Sequence, residues 1–182
     1  MVQKISSVFF LFIIFCIFIC CNNDKSSQHQ VYDTLNYKND PDHLGWDIEV
    51  SFVDSNFTKA VLSAKTARVY YDRKETFLDD SLKVIFYSKD SKQRQSVLTA
   101  DSAKIDDRSR DMLAFGNVIV WADSSKTKLE TSLLLWDNKN QKLYSTEFVK
   151  ISSPKENLQG WGFESDLSLT NYKIFKVSGV QK

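Results

Sequence analysis

From Trp46 onward, apolar and polar positions alternate with a period of two, as in Trp46, Ile48, Val50 and Phe52, or Val118 and Val120. Successive side chains of a strand point to opposite faces, so this period predicts strands with one buried face. The same region shows no convincing apolar stripe at the helical period of about 3.6 residues. In places the alternation slips by one residue, as between Ala64 and Ala67. One extra residue is how a β-bulge re-aims a strand, so such slips predict bends. The pattern therefore predicts an all-β protein of many short strands.

The pattern also repeats. Segments Leu62–Tyr70, Leu98–Asp106, Leu129–Asp137 and Leu158–Asp166 begin 36, 31 and 29 residues apart. Each opens on leucine and has a small residue two places on: Ala64, Ala100, Thr131 or Gly160. The sixth place holds Ala67, Ala103, Leu134 or Phe163, and three of the four reach Asp at the ninth. A second apolar strand follows each: Leu82–Tyr87, Asn117–Trp121, Phe148–Ile151 and Ile174–Val177. Polar clusters such as Asp106–Asp111 and Asp137–Lys142 separate them and read as turns.

A single hairpin-like unit cannot bury its apolar face, so such units stack, predicting two facing sheets around a shared interior. A closed barrel would have no edges; an open stack leaves two, here Trp46–Phe52 and Ile174–Val180. Neither contains proline, so Trp46, Ile48, Val50 and Phe52, with Ile174, Lys176 and Val177, are candidate positions for docking a partner strand.

Ahead of this domain lie two different segments. Residues 1–21 place Lys4 before an unbroken apolar run from Val8 to Cys21, which spans roughly 21 Å as a helix. That is short of a ~30 Å hydrocarbon core, though Ile5 lengthens it if two serines are tolerated. The segment is a signal or a membrane anchor: lipidated at Cys20 or Cys21, retained as a helix, or simply cleaved. Each route puts the rest of the chain outside the cytoplasm, and Lys4 on the inner side agrees. Residues 22–43 are polar and unpatterned and form a tether, leaving 44–182 as one domain.

Composition narrows the function. The formal net charge is +1, and Lys4 accounts for it. No basic face of the kind that captures nucleic acid is expected. All three cysteines, Cys16, Cys20 and Cys21, fall in the leader, so the domain has no disulfide, thiol nucleophile or cysteine ligand for a metal. No cofactor motif is present, and Gly160-Trp-Gly162 precedes a strand where phosphate binding needs a helix start. The adjacent carboxylates Asp79-Asp80 and Asp106-Asp107 diverge on strands or solvate turns, so a hydrolase is a remote reading. Trp46, Trp121, Trp136 and Trp161 sit in apolar-patterned strands, where core packing is the expectation over a sugar-stacking platform.

Taken in order, Leu98–Asp106, Leu113–Val120, Lys128–Thr131, Trp136-Asp137, Val149–Ile151 and Gly160–Asp166 closely resemble LptC proteins, relatives of the LptA/OstA group. The resemblance covers roughly residues 44 to 180. It implies an open, twisted β-jelly roll of stacked antiparallel strands with an apolar groove for the acyl chains of lipopolysaccharide. It further implies an inner-membrane anchor, a periplasmic domain and no catalysis. Lipopolysaccharide would arrive from an LptB2FG-like ABC transporter and pass to an LptA-like bridge protein. The candidate groove residues are Leu62, Ala64, Val84, Phe86, Leu98, Ala100, Val118, Val120, Leu129, Thr131, Val149 and Ile151. Familiar members often carry an uncleaved helix, whereas this leader ends in a cysteine pair. A carbohydrate- or protein-binding β-sandwich lipoprotein of the cell envelope is the alternative, separated by whether tryptophans and small residues line a trough or form an outward platform.

Overall fold

A computed structural model of the protein describes residues 40–181. The leader with Cys20 and Cys21, and the tether up to residue 39, lie outside the described residues. Nine strands follow one another: β1 His43–Asp54, β2 Phe57–Tyr70, β3 Glu75–Tyr87, β4 Arg94–Asp106, β5 Met112–Ala122, β6 Thr127–Asp137, β7 Lys142–Ser152, β8 Asn157–Asp166 and β9 Tyr172–Gln181. They form a single antiparallel sheet in chain order, each strand paired with the next. Among the described residues β1 and β9 are the two ends, unpaired with each other, so the sheet is open. No helix among these residues is long and apolar enough to cross a membrane.

The strands are not short, as the alternation had suggested; they run from 10 to 14 residues. Each reads as two short strands because it bends in the middle. The register shifts between Ser63/Thr66, Asp79/Leu82, Thr99/Ser102, Phe115/Val118, Thr131/Leu135 and Ser145/Phe148 line up across the sheet. At this line β3 and β5 carry extra residues in left-handed conformations, Asp80 and Ser81 (φ 62° and 63°) and Gly116 and Asn117 (φ 74° and 45°). Such a conformation costs an L-residue energy but suits Gly and Asn, which is why a bulge forms there. Asn117 donates from Nδ2 to Asp101 across the same bend, at 2.8 Å.

The four repeated segments are the even-numbered strands β2, β4, β6 and β8. Their slip in alternation is a change of inward parity at the bend: Ala64 to Ala67, Ala100 to Ala103, Thr131 to Leu134, Gly160 to Phe163. The inner face is thereby kept continuous around the fold. The open sheet folds over at this line, so that its two halves are walls of one core. The first wall carries Leu62, Val84, Phe86, Leu98, Val120, Leu129 and Ile151; the second carries Leu78, Ile105, Met112, Trp136, Leu143 and Phe163. Phe52 and Phe86 of the first meet Trp136 of the second edge to face, with ring centroids 4.9 Å and 5.0 Å away. The facing sheets of the sequence reading are thus two halves of one.

The aspartates that end the repeats cap the turns. Asp106 Oδ1 accepts from the backbone N–H groups of Arg108 and Ser109 at 2.8 Å and 3.0 Å. Asp137 accepts from Asn140 at 2.8 Å, and Asp166 from Thr170 at 3.0 Å. The Ser109 N–H, then that of Arg108, holds the Asp106 carboxyl below its ordinary pKa, and the Asn140 N–H does the same for Asp137.

Candidate functional site

A site in this molecule has to be sought on the inner face, because the strands turn their apolar side there and leave ion pairs outside. Arg68 pairs with Asp79 at 2.7 Å, Lys104 with Glu75 at 2.9 Å, and Lys142 with Glu164. Exposed pairs of this kind contribute little to stability and mark the solvated face. The neighbouring carboxylates noted in the sequence do not converge: Asp79 is held by Arg68, Asp106 caps its own turn, and Asp107 accepts from the Thr76 hydroxyl at 3.0 Å.

Of the twelve groove candidates, Leu62, Ala64, Val84, Phe86, Leu98, Ala100, Val118, Val120, Leu129, Val149 and Ile151 are buried. Thr131 is half-buried, its hydroxyl donating to the Phe148 carbonyl at 3.0 Å across the bend. All twelve lie on the first wall. They do not line an open trough here, because the second wall packs over them, with Trp136 against Phe52 and Phe86. Ala64 and Ala100, at the bend, are the most open of the buried set at 6% and 8% exposure. Two facing sheets were expected from the sequence, but every groove candidate falls on one of them. The signal for the other was the sixth place of each repeat, Ala67, Ala103, Leu134 and Phe163, which the parity change turns inward again.

The inner face runs out to both edges. On β1, Ile48 lies opposite Ala64 and Val50 opposite Leu62, both half-buried and packed against the core. On β9, Ile174 lies opposite Phe163 and is half-buried, and Val177 lies opposite Gly160 with 55% of its surface exposed. Gly160 permits this pairing: a Cβ there would sit 2.2 Å from the Lys176 carbonyl oxygen. The other edge candidates divide. Phe52 belongs to the core rather than to a docking surface, being 4% exposed against Trp136. Trp46, opposite Thr66, and Lys176, opposite Trp161, are exposed on the outer face.

The tryptophans depart from expectation. Only Trp136 is in the core; Trp46, Trp121 and Trp161 are exposed on the outside. They form no shared stacking plane. The row of cross-strand partners starting at Trp121 reaches Lys128, Ser152 and then Asn157, four residues along β8 from Trp161. Trp161 instead packs against Phe148, ring to ring at 5.5 Å. The flat aromatic platform of a carbohydrate-binding sandwich is not built.

What the fold offers is an apolar interior between two walls, open at two unpaired edges. A sequence model of the family described as "Lipopolysaccharide-assembly, LptC-related" matches residues 9–180. The chain belongs to the LptC family. As a member it is a non-enzymatic component of lipopolysaccharide transport. Among solved structures, the chain is similar to LptH of Pseudomonas aeruginosa, the LptA-homologous periplasmic component of the lipopolysaccharide transport device. The TM-score is 0.51 at 11% identity, over 64% of this chain and 82% of that one, a likeness of fold. A search of curated proteins finds no significant match. The LptC assignment and the all-β, open antiparallel architecture agree with the sequence reading.

Proposed function

We propose that this LptC-family domain is a periplasmic link in a lipopolysaccharide path, anchored at the inner membrane by its leader. It takes the acyl chains of lipopolysaccharide between its walls after an LptB2FG-like ABC transporter extracts the lipid, and passes them to an LptA-like bridge protein. One observation carries the reading: among the described residues, the apolar inner face continues from Ile48 and Val50 at one edge to Ile174 and Val177 at the other without a closing strand. An adjoining jelly roll paired on either edge would prolong the same interior, as strand addition does elsewhere. Each buried CH₂ contributes about 0.8 kcal/mol, so a few carbons of contact hold a chain and no reactive group is needed. The two edges also differ in charge: β1 exposes Asp47 and Glu49, and β9 exposes Lys173 and Lys176. That asymmetry favours head-to-tail pairing, with the transporter at β1 and the bridge protein at β9.

The twelve first-wall residues are then the lipid contacts when the walls separate, and Ile48, Val50, Ile174 and Val177 are the contacts at the entrances. The test is photocrosslinking in the full chain from probes at Val177, Val50 and Ala100. The expected result is an adduct with lipopolysaccharide at all three, and with the bridge protein at Val177. A folded protein that gives no lipid adduct at any of them overturns the carrier reading.

A further inference from the structure

The apolar interior contains a polar layer that the carrier reading leaves unused. Among the described residues, the buried side-chain polar atoms without a hydrogen-bond partner are Ser96 Oγ, Trp136 Nε1 and Ser165 Oγ. All three residues are at most 1% exposed. They are not scattered. Each is the inward-facing residue nearest the turn at the end of its strand: Ser96 on β4 opposite Phe86 and Ala122, Trp136 on β6 opposite Met112 and Leu143, Ser165 on β8 opposite Leu143 and Tyr172. Ser96 stands on the first wall, Trp136 and Ser165 on the second. The row lies along the seam where the loop ends of the two walls meet.

That seam is held by few polar contacts. Lys59 Nζ donates to the Asn138 carbonyl at 3.3 Å, the Ser125 hydroxyl to the Ser168 carbonyl at 2.7 Å, and the Tyr172 hydroxyl to Glu156 at 2.9 Å. Towards the β9 end the seam widens into a cleft of ≈ 1140 Å³. Ser165 and Thr127 line it together with three lysines, Lys142, Lys155 and Lys173, and three carboxylates, Glu156, Glu164 and Asp166, of which Glu164 pairs with Lys142. A buried donor without an acceptor is a net penalty in the empty protein, and phenylalanine or alanine would avoid it. Three such groups in one layer, beginning at an open cleft, mark a place where an acceptor arrives with the ligand.

We infer that this row is a subsite for the ester and amide linkages and chain hydroxyls of an acylated glycolipid, and that the cleft receives the polar head. The inference rests on the carrier reading. From solvent inward, the protein presents a rim of hydroxyls and charges of both signs, a hydrogen-bonding row and an apolar interior. An acylated glycolipid has the same order: anionic or hydroxylated head, carbonyl linkages, hydrocarbon chains. The Trp136 N–H donates to a linkage carbonyl; the Ser96 and Ser165 hydroxyls donate to carbonyls or accept from hydroxyls.

The experiment uses the full chain and compares wild type with Trp136→Phe, Ser96→Ala and Ser165→Ala. Binding is measured for lipopolysaccharide and for pyrene, which has an apolar body and no hydrogen-bonding group. Each substitution should weaken lipopolysaccharide binding about three- to tenfold, the effect of one hydrogen bond. Pyrene binding and the thermal midpoint of the empty protein should hold or rise for Ser96→Ala and Ser165→Ala. Trp136→Phe also removes volume packed on Phe52 and Phe86, so its midpoint should fall. For that variant only a larger loss for lipopolysaccharide than for pyrene counts in favour of the subsite. If wild type binds lipopolysaccharide and the variants bind it equally well, the subsite is overturned while the carrier reading stands. Parallel losses for lipopolysaccharide and pyrene also overturn it, since they indicate damaged packing. Failure of wild type to bind lipopolysaccharide removes the carrier reading and this inference with it.

Discussion

At the scale of single residues, the aspartate that ends three of the repeats is a turn cap, and its chemistry makes a pH prediction. Backbone N–H groups favour the charged carboxylate of Asp106 and Asp137 in the folded state, so both folded pKa values are depressed. Such a group stabilises the fold above its unfolded pKa of about 4 and loses that contribution as pH falls through the lower folded value. Replacing both by Asn keeps an acceptor and removes the titration. The expected outcome is a slightly lower thermal midpoint at pH 7 and a shallower decline below pH ~4 than in wild type. Equal declines in the two proteins would place the acid sensitivity in other groups, such as Asp123, whose pKa is lowered by Arg94. The aspartates were legible in the sequence as a repeat, but their N–H partners required the turn geometry.

At the scale of elements, the bulge line decides which side chains face inward. In β3 the left-handed pair Asp80-Ser81 stands at the bend between Leu78 and Leu82, which face the core on either side of it four positions apart, where β2 and β4 cross in three. Deleting Ser81 removes one residue from this crossing, and a shift of one residue sends a strand's side chains to the opposite face. Leu78 would leave the core and Phe77 or Asp79 would enter it. Loss of the cooperative unfolding transition is expected, seen as a broadened or absent melt by circular dichroism. Deleting Asp90, at the exposed tip of the β3–β4 turn, should leave the transition cooperative. A cooperative, near-native melt for the Ser81 deletion would show that the bend tolerates a different register. The slip in alternation predicted these bends. It did not show that they align across the sheet, because alignment is a property of neighbouring strands together.

At the scale of the whole molecule, the two edges are unlike, and equivalent substitutions should separate their roles. Val177 is 55% exposed on the inner face of β9, while Phe52 at the end of β1 is 4% exposed. A carboxylate at position 52 is buried without a partner, which costs several kcal/mol. Phe52→Asp should therefore unfold the domain or lower its thermal midpoint severely. Val177→Asp should leave the melt within about 1 kcal/mol of wild type and reduce capture of an LptA-like protein at least tenfold in a pull-down. Unchanged capture by a folded Val177→Asp protein would remove the inner face of β9 from the interface. The contrast was not visible in the sequence, where both strands read as apolar edges.

The sequence by itself determined the strand period, the places where strands bend, the turns and the two end strands. Each follows from residues within about ten positions of one another, where side-chain alternation and turn chemistry act locally. The twelve groove candidates follow the same alternation and all fall on one wall, eleven of them buried and Thr131 half-buried. Only the tertiary structure decided that the two facing walls are halves of one bent sheet, that Trp136 lies inside while three other tryptophans lie outside, and that unpartnered polar atoms gather along one seam. These depend on contacts such as Phe52 with Trp136 and Ser125 with Ser168, between residues far apart in the chain. Alternation states that a side chain points to the inner face; what it meets there is set by how far the sheet bends and twists before its halves pack together.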